Sequence, residues 1–148
     1  MENYVYINGT LIPREEARVS VFDHGFLYGN GLFETMRAYQ GRIFRVEHHL
    51  QRLFLSLECL QFPIPFTSGS LKKALYETIE ANGIADVSIR LNVTWGEGDP
   101  VPDPETCRSP NIIIITRAYL APAPPRINHQ TEEHPGLNQS PDGMKVCV

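Results

Sequence analysis

The sequence lacks the features that mark several large classes of protein. Its three cysteines are widely spaced and form no C-x-x-C pair, so neither a disulfide framework nor a zinc knuckle is indicated. The longest aliphatic run, Ile112 to Ile115, is far shorter than the roughly 20 residues that cross a bilayer. No block of basic residues occurs and the net charge is -4, which gives no footprint for nucleic acid or an anionic membrane. We therefore expect a soluble, cytoplasmic protein whose partners are small molecules or other proteins.

The length and composition predict one globular domain. A chain of 148 residues that is 42% hydrophobic can bury one core, and a second full domain does not fit. After Ala121 the apolar periodicity fades, and Pro122, Pro124 and Pro125 favour an extended segment of the kind that links domains. We expect residues 1–120 to form the folded unit and residues 121–148 to begin with a linker.

Turn dipeptides and alternating residues predict several strands. Asn8-Gly9 is the pair that best forms a tight turn, so the chain should open with a hairpin, and Gln40-Gly41 separates a second pair of strands. From Val87 to Thr94 apolar and polar residues alternate, which predicts a half-buried strand with Arg90 on its polar face. The β-branched run from Ile112 to Thr116 predicts a central strand that is covered on both faces.

Two stretches have the spacing of amphipathic helices. The first starts at Val46 and is ended by Pro63 and Pro65. Its apolar stripe consists of Val46, Leu50, Leu53, Phe54, Leu57 and Leu60. The second starts near Ser70, an expected N-cap, and stops at Asn82-Gly83. Two helices packed on hairpins make an α+β domain.

The densest cluster of glycines and aromatic residues lies between Phe22 and Arg37. This mixture lets a backbone turn sharply or approach a ligand while rings enclose the space, although a glycine-rich stretch is more often a turn. Asp23-His24 and His48-His49 carry possible metal ligands. Neither an H-E-x-x-H motif nor a cysteine-histidine set accompanies them, so hydrogen-bonded histidines are the better interpretation.

Four motifs in fixed order resemble the opening of the class IV aminotransferases, a family that includes branched-chain aminotransferases, D-amino-acid aminotransferases and aminodeoxychorismate lyases. The motifs are Asn8-Gly9, then Ala17 to Val21, then Asp23 to Gly25 with Tyr28 to Glu34, and finally His49 to Leu53. With weaker likeness further on, the resemblance covers roughly 120 residues. It implies the small N-terminal domain of the fold type IV enzymes, with a twisted, mostly antiparallel sheet and two packed helices. It also implies pyridoxal 5'-phosphate as cofactor and a homodimer.

The resemblance makes Arg52 the residue that binds the cofactor phosphate. The chemistry agrees, because a guanidinium can give a phosphate two parallel hydrogen bonds that a lysine cannot. The alternative for Arg52 is an exposed helix arginine without a ligand. Glu34 is expected to have a structural role and to pair with Arg37 or Arg42.

Three further residues would contact the substrate by resemblance. Tyr28 and Phe33 would line the pocket for its side chain, and the alternative for both is packing in the core. Arg90 would hold a substrate carboxylate, and its alternative is a cross-strand ion pair with a surface acid.

The sequence departs from the family pattern at two places. D-amino-acid aminotransferases have an arginine where this chain has Trp95, which argues against their type of carboxylate trap. Relatives carry the catalytic lysine in a segment resembling S-P-(x)4-K-S-x-N-Y-L. Lys145 follows Ser140-Pro141 one residue early, and no S-x-N-Y follows it. By position Lys145 is the candidate catalytic lysine, although we expect it not to act as one in this chain. Residues 121–148 then resemble the interdomain linker and the truncated start of a missing large domain.

Three functions are compatible with these patterns. In a complete form, the protein would transfer an amino group from a branched-chain or similar amino acid to 2-oxoglutarate. An aminodeoxychorismate lyase would use the same cofactor without transamination. A non-catalytic, truncated interaction domain would keep the fold and lose the chemistry.

Overall fold

The computed structural model describes residues 3–119, which form one sheet with helices on one side. The strands are β1 (Tyr4–Ile7), β2 (Thr10–Pro13), β3 (Gly31–Tyr39), β4 (Arg42–Ile43), β5 (Val87–Thr94) and β6 (Asn111–Ala118). The helices are α1 (His24–Leu27), α2 (Val46–Cys59) and α3 (Ser68–Asn82), with a short 3-10 helix at Pro104–Thr106. The strand order is β2-β1-β6-β5-β3-β4, and every neighbouring pair is antiparallel. The predicted α+β class and antiparallel sheet are confirmed.

Both predicted hairpins are present, and both residues of each turn have a positive φ. Asn8 and Gly9 have φ values of 49° and 99°, and Gln40 and Gly41 have 51° and 75°. Glycine and asparagine tolerate positive φ better than other residues, which explains Asn8, Gly9 and Gly41 but not Gln40.

Helix α2 buries the predicted apolar stripe against β3, with one exception. Leu50, Leu53 and Leu57 are almost fully buried, as is Val46 at the start of the helix. Leu60, the last residue predicted for the stripe, lies just beyond the helix and is exposed. The chain leaves the helix before Pro63 because Gln61 adopts a positive φ of 53°.

Helix α3 starts earlier than its sequence suggested. Thr67, not Ser70, is the N-cap: the Thr67 hydroxyl accepts from the Ser70 backbone, and the Ser70 hydroxyl accepts from the Thr67 backbone. This reciprocal capping box satisfies two backbone donors that the first turn leaves free. At the other end Gly83, with φ of 61°, closes the helix as predicted.

Helices α2 and α3 cover only one face of the sheet. The core lies between these helices and the inward residues of β3, β5 and β6, among them Met36, Leu91 and Ile114. The prediction that β6 is covered on both faces is wrong. β6 is a central strand, but only Ile114 in it is buried and Ile115 on the opposite face is 43% exposed. We call this opposite surface the open face of the sheet.

The glycine-rich segment before β3 is fixed by close contacts with β5. A Cβ atom on Gly25 would lie 2.4 Å from Thr94 Cγ2, and one on Gly31 would lie 2.7 Å from the Val93 carbonyl oxygen. Gly29 has a φ of 71° and forms a turn. These glycines therefore serve the packing and turning of the backbone within the fold.

The predicted linker and tail, residues 121–148, lie outside the described residues. Among residues 3–119, no helix is long and apolar enough to cross a membrane.

Candidate active site

Arg52 is held by a buried carboxylate that approaches it from the sheet. Glu34 lies on β3 with its side chain toward the helices and is only 3% exposed. Its Oε1 accepts a hydrogen bond from Arg52 Nε at 2.8 Å, and its Oε2 accepts one from Arg52 Nη2 at 2.6 Å. Oε2 also accepts a hydrogen bond from His49 Nδ1 at 2.8 Å. His49 and Arg52 are three residues apart on α2, so both lie on the helix face that meets β3.

The charge of Glu34 is stabilised in spite of its burial. Burial alone raises the pKa of this carboxyl, but the hydrogen bonds and positive charge from Arg52 and His49 outweigh it and lower the pKa below its ordinary value. The same contact raises the pKa of Arg52, chiefly through the hydrogen bond to Glu34. Glu34 is therefore an anion in the folded protein at neutral pH.

The guanidinium of Arg52 has one edge occupied and one edge free. Glu34 takes the Nε and Nη2 donors side by side, whereas Nη1 donates to no other described residue. The Arg52 side chain remains 67% exposed. Two parallel N–H groups, from Nη1 and Nη2, can still reach a planar or tetrahedral anion from solvent. Arg52 is exposed on its helix, as in its predicted alternative, and the buried Glu34 carboxylate fixes its orientation; its role as phosphate ligand stays a prediction.

Phe33 and Arg90 form a second cluster on the open face of the sheet. The Arg90 guanidinium lies over the Phe33 ring, 3.8 Å from its centroid, and Arg90 Nε donates to Asn92 Oδ1 at 3.0 Å. Phe33 is 58% exposed, so it is not a core residue. Arg90 forms no ion pair with any described acid, which removes its predicted cross-strand pairing. A cation stacked on an exposed ring can still receive a carboxylate.

Tyr28 stands at the end of α1 with its ring partly in solvent. It is 37% exposed and meets the buried His24 ring edge-on, with centroids 4.9 Å apart. His24 Nε2 bonds to the Asp99 carbonyl oxygen at 2.9 Å. The alternative of core packing is therefore wrong for Tyr28 as well as for Phe33. Within residues 3–119, no hydrogen bond or ring contact joins Tyr28 to Arg52 or Arg90.

Asp23 and His24, which raised the possibility of a metal, are used by the fold. Asp23 accepts hydrogen bonds from Gly25 N at 2.6 Å, Thr94 Oγ1 at 2.8 Å and Asn111 Nδ2 at 2.5 Å. The carboxylate thereby joins the start of α1 to β5 and β6. In the part of the chain that the structure describes, no three potential ligands come together as a metal site.

The pairing of Glu34 was predicted wrongly, and the strand period explains why. Glu34 and Arg37 are three residues apart on β3, so their side chains point to opposite faces of the sheet. Arg42 is the exposed residue of β4, whereas Ile43 beside it is buried. The alternation of β3 places Glu34 with Leu32 and Met36 on the helix side, and this pattern could have indicated α2 as the source of its partners. His49 was also missed, although its spacing of three from Arg52 was visible in the sequence.

The predicted site residues lie on both faces of the sheet at β3. Phe33 and Arg90 contact each other on the open face, while Arg52 lies on the helix side beside Glu34. β4 pairs only with Ala38 and Tyr39, so no strand separates the two sides along the edge of β3 beside Glu34. Lys145 lies outside the described residues.

The chain belongs to the class IV amino-transferase family, whose model matches residues 31–145. A protein of Methanocaldococcus jannaschii assigned as a branched-chain-amino-acid aminotransferase is 42% identical over 121 residues, which are 82% of this chain and 41% of that protein. An aminodeoxychorismate lyase of Bacillus subtilis is 34% identical over 113 residues, 75% of this chain and 39% of the lyase. A D-alanine aminotransferase of Staphylococcus haemolyticus is 32% identical, covering 80% of this chain and 42% of its own length.

Solved structures show the same relationship. The branched-chain amino acid aminotransferase of Escherichia coli superposes with a TM-score of 0.74 at 28% identity, over 80% of this chain and 42% of that one. The enzyme of Thermoproteus uzoniensis, solved with norvaline, gives a TM-score of 0.70 at 30% identity, over 80% and 41%. A bacterial enzyme solved with pyridoxamine 5'-phosphate gives 0.77 at 28% identity, over 84% and 42%. The chain thus spans about two fifths of the length of the relatives it matches.

Proposed function

We propose that this chain is the N-terminal domain of a pyridoxal-phosphate-dependent aminotransferase. In complete form the enzyme transfers an amino group from a branched-chain or similar amino acid to 2-oxoglutarate. The observation that carries this proposal is the Arg52 guanidinium, which a buried carboxylate holds on one edge and which is free on the other. Membership of the family supports it, and the part of the relatives that this chain does not span would supply the rest of the site.

The residues present fit one end of the cofactor. Arg52 would bind its phosphate through Nη1 and Nη2, the two donors that form the free edge. The group itself, once bound, supplies an electron-poor ring that stabilises negative charge at the substrate α-carbon. Arg52 performs no proton transfer; it binds and orients.

The open face would meet the substrate. Arg90, stacked on Phe33 and tied to Asn92, presents a fixed cation to a carboxylate. The exposed rings of Phe33 and Tyr28 would enclose an apolar side chain and exclude water from it. Trp95 is partly buried against Phe62, with ring centroids 4.8 Å apart, and so supports the sheet instead of a carboxylate trap.

Lys145 is the candidate for the catalytic lysine by family position alone, and residues 121–148 are proposed to be the linker and the start of the large domain. We propose a cytoplasmic homodimer. Several apolar side chains on one segment are exposed in the single chain and would be covered by a second copy: Val19, Val21, Phe22 and Phe26.

Aminodeoxychorismate lyase is the second candidate, because the 34% identity to the Bacillus subtilis lyase is close to the 32% identity to the D-alanine aminotransferase. A non-catalytic interaction domain is the third. All three could share the phosphate anchor, so substrate tests must separate them.

The experiment starts with the purified 148-residue chain and pyridoxal 5'-phosphate. Absorbance is recorded before and after borohydride, and mass spectrometry locates any modified lysine. We expect weak, phosphate-dependent binding that Arg52→Ala abolishes, and no stoichiometric label on Lys145. A longer form of the protein is then given branched-chain amino acids or aminodeoxychorismate, and formation of the oxo acid or of 4-aminobenzoate is measured. Equal binding by wild type and Arg52→Ala would contradict the proposed anchor.

A further inference from the structure

Glu34 contacts Arg52 on the edge of the guanidinium that a phosphate would not need. The carboxylate lies side-on, against Nε at 2.8 Å and Nη2 at 2.6 Å, and so fixes both the plane and the direction of the group. Nη1 takes no part in this contact, and the Arg52 side chain as a whole is 67% exposed, so the edge formed by Nη1 and Nη2 is left for a ligand. One edge serves the fold and the other is presented to a ligand.

Burial makes this arrangement a poor device for stability alone. Glu34 is 3% exposed, and its neighbours on the same face of β3, Leu32 and Met36, are apolar. Taking a carboxylate out of water is costly, and an apolar side chain at such a position is often at least as stabilising. Orientation of the exposed guanidinium is what a carboxylate provides here and a leucine would not.

His49 completes the hydrogen bonds of the carboxylate. Its Nδ1 donates to Glu34 Oε2 at 2.8 Å, so this oxygen is held between the imidazole and Arg52 Nη2. The imidazole is mostly enclosed and has little freedom to turn away, with 22% of its side chain exposed. His49 therefore helps to fix the carboxylate that orients Arg52.

We propose that Glu34 and His49 are positioning residues that orient Arg52 for a phosphate monoester. The inference rests on the proposed function, because it assigns the phosphate of the cofactor to the free edge of Arg52. Without Glu34 the long arginine side chain would sample many rotamers, and a phosphate would have to select one of them.

The test compares binding of three probes to the 148-residue chain: pyridoxal 5'-phosphate, pyridoxal and inorganic phosphate. The variants are Glu34→Gln, His49→Gln and Arg52→Lys. Glu47→Gln is the matched control, because it removes a carboxylate of the same helix, α2, from an exposed ion pair with Lys72 of α3 at 2.5 Å. Affinities are measured by titration calorimetry, and the Arg52 Nε–H resonance is followed by NMR.

We expect Glu34→Gln to weaken binding of pyridoxal 5'-phosphate about tenfold and binding of pyridoxal hardly at all, since the two charge-assisted hydrogen bonds from Arg52 to Glu34 orient the guanidinium that would bind the phosphate. Arg52→Lys should give a loss at least as large, His49→Gln a smaller one and Glu47→Gln none. In the wild type the Arg52 Nε–H should exchange slowly with water, and it should exchange fast in Glu34→Gln.

Two results would overturn the inference, and only the second would also overturn the proposed function. If Arg52→Lys loses the preference for the phosphorylated probe while Glu34→Gln keeps it, Glu34 is not a positioning residue but the phosphate anchor stands. If the wild type shows no preference, the anchor and the proposed function fail together. Should Glu34→Gln not fold, fast exchange of Arg52 Nε–H in the wild type would itself refute the inference, and slow exchange would support it.

Discussion

Asp23 offers a sharp test of how the glycine-rich segment is held to the sheet. Its two carboxylate oxygens accept three hydrogen bonds, from Gly25 N, Thr94 Oγ1 and Asn111 Nδ2. In Asp23→Asn one oxygen becomes an amide NH₂. If the new NH₂ group replaces Oδ1, it faces the Gly25 N–H; if it replaces Oδ2, it faces the Asn111 Nδ2 group. Two hydrogen-bond donors therefore face each other in either orientation. The amide can relieve one conflict only by creating the other.

The expected cost follows from the hydrogen bonds that the substitution removes. At least one charge-assisted hydrogen bond in a buried site disappears, which costs about 2 kcal/mol. For a domain of this size that lowers Tm by about 8 °C. Urea unfolding followed by circular dichroism measures the change in the free energy of unfolding. Asp99→Asn is the control, because Asp99 is exposed and bonds to His24 and Thr106 only through its backbone atoms. A loss for Asp23→Asn equal to that for Asp99→Asn would refute the reasoning.

Three further predictions concern stability. Gly31→Ala should destabilise the fold by about 1 to 3 kcal/mol, because the new Cβ would lie 2.7 Å from the Val93 carbonyl oxygen; an unchanged urea midpoint would contradict this. Thr67→Ala should cost about 1 kcal/mol by removing the cap of α3, and Thr67→Ser should restore it. The lowered pKa of Glu34 means that this group contributes stability above its ordinary pKa of 4.5, which is lost as pH falls through the lowered folded-state pKa. The difference in unfolding free energy between wild type and Glu34→Gln should therefore become smaller in acid. A difference that becomes larger in acid would contradict the lowered pKa of Glu34.

Local sequence patterns predicted most of the fold. They failed where the outcome depended on the packing of one element against another or on a choice between two residues. Positive-φ dipeptides located both hairpins, and alternation located β5. Four consecutive isoleucines carry no alternation, so they could not reveal that only the Ile114 side of β6 is covered. That outcome depends on both helices packing on one face. Ser70 was mistaken for a cap because Thr67, three residues earlier, competes for the same role and the two hydroxyls share it.

The site was predictable as residues but not as contacts. The resemblance selected Arg52, Phe33 and Arg90, and the structure describes where each lies. The resemblance could not reveal that Phe33 stacks on Arg90, because that contact joins β3 to β5. It also could not reveal that Glu34 contacts Arg52, because that contact joins β3 to α2. Both depend on which strand lies beside which, information that spacing along one segment does not contain.

Two successive residues of β3 serve two different clusters, Phe33 on the open face and Glu34 on the helix side. A strand changes faces at every residue, so inserting or deleting one residue before Phe33 within β3 would bury the ring and expel the carboxylate. During evolution this strand can therefore accept substitutions but not changes in length. The turn at Gln40 and Gly41 lies beyond both clusters, so a change of its length would leave Phe33 and Glu34 on their faces of the sheet.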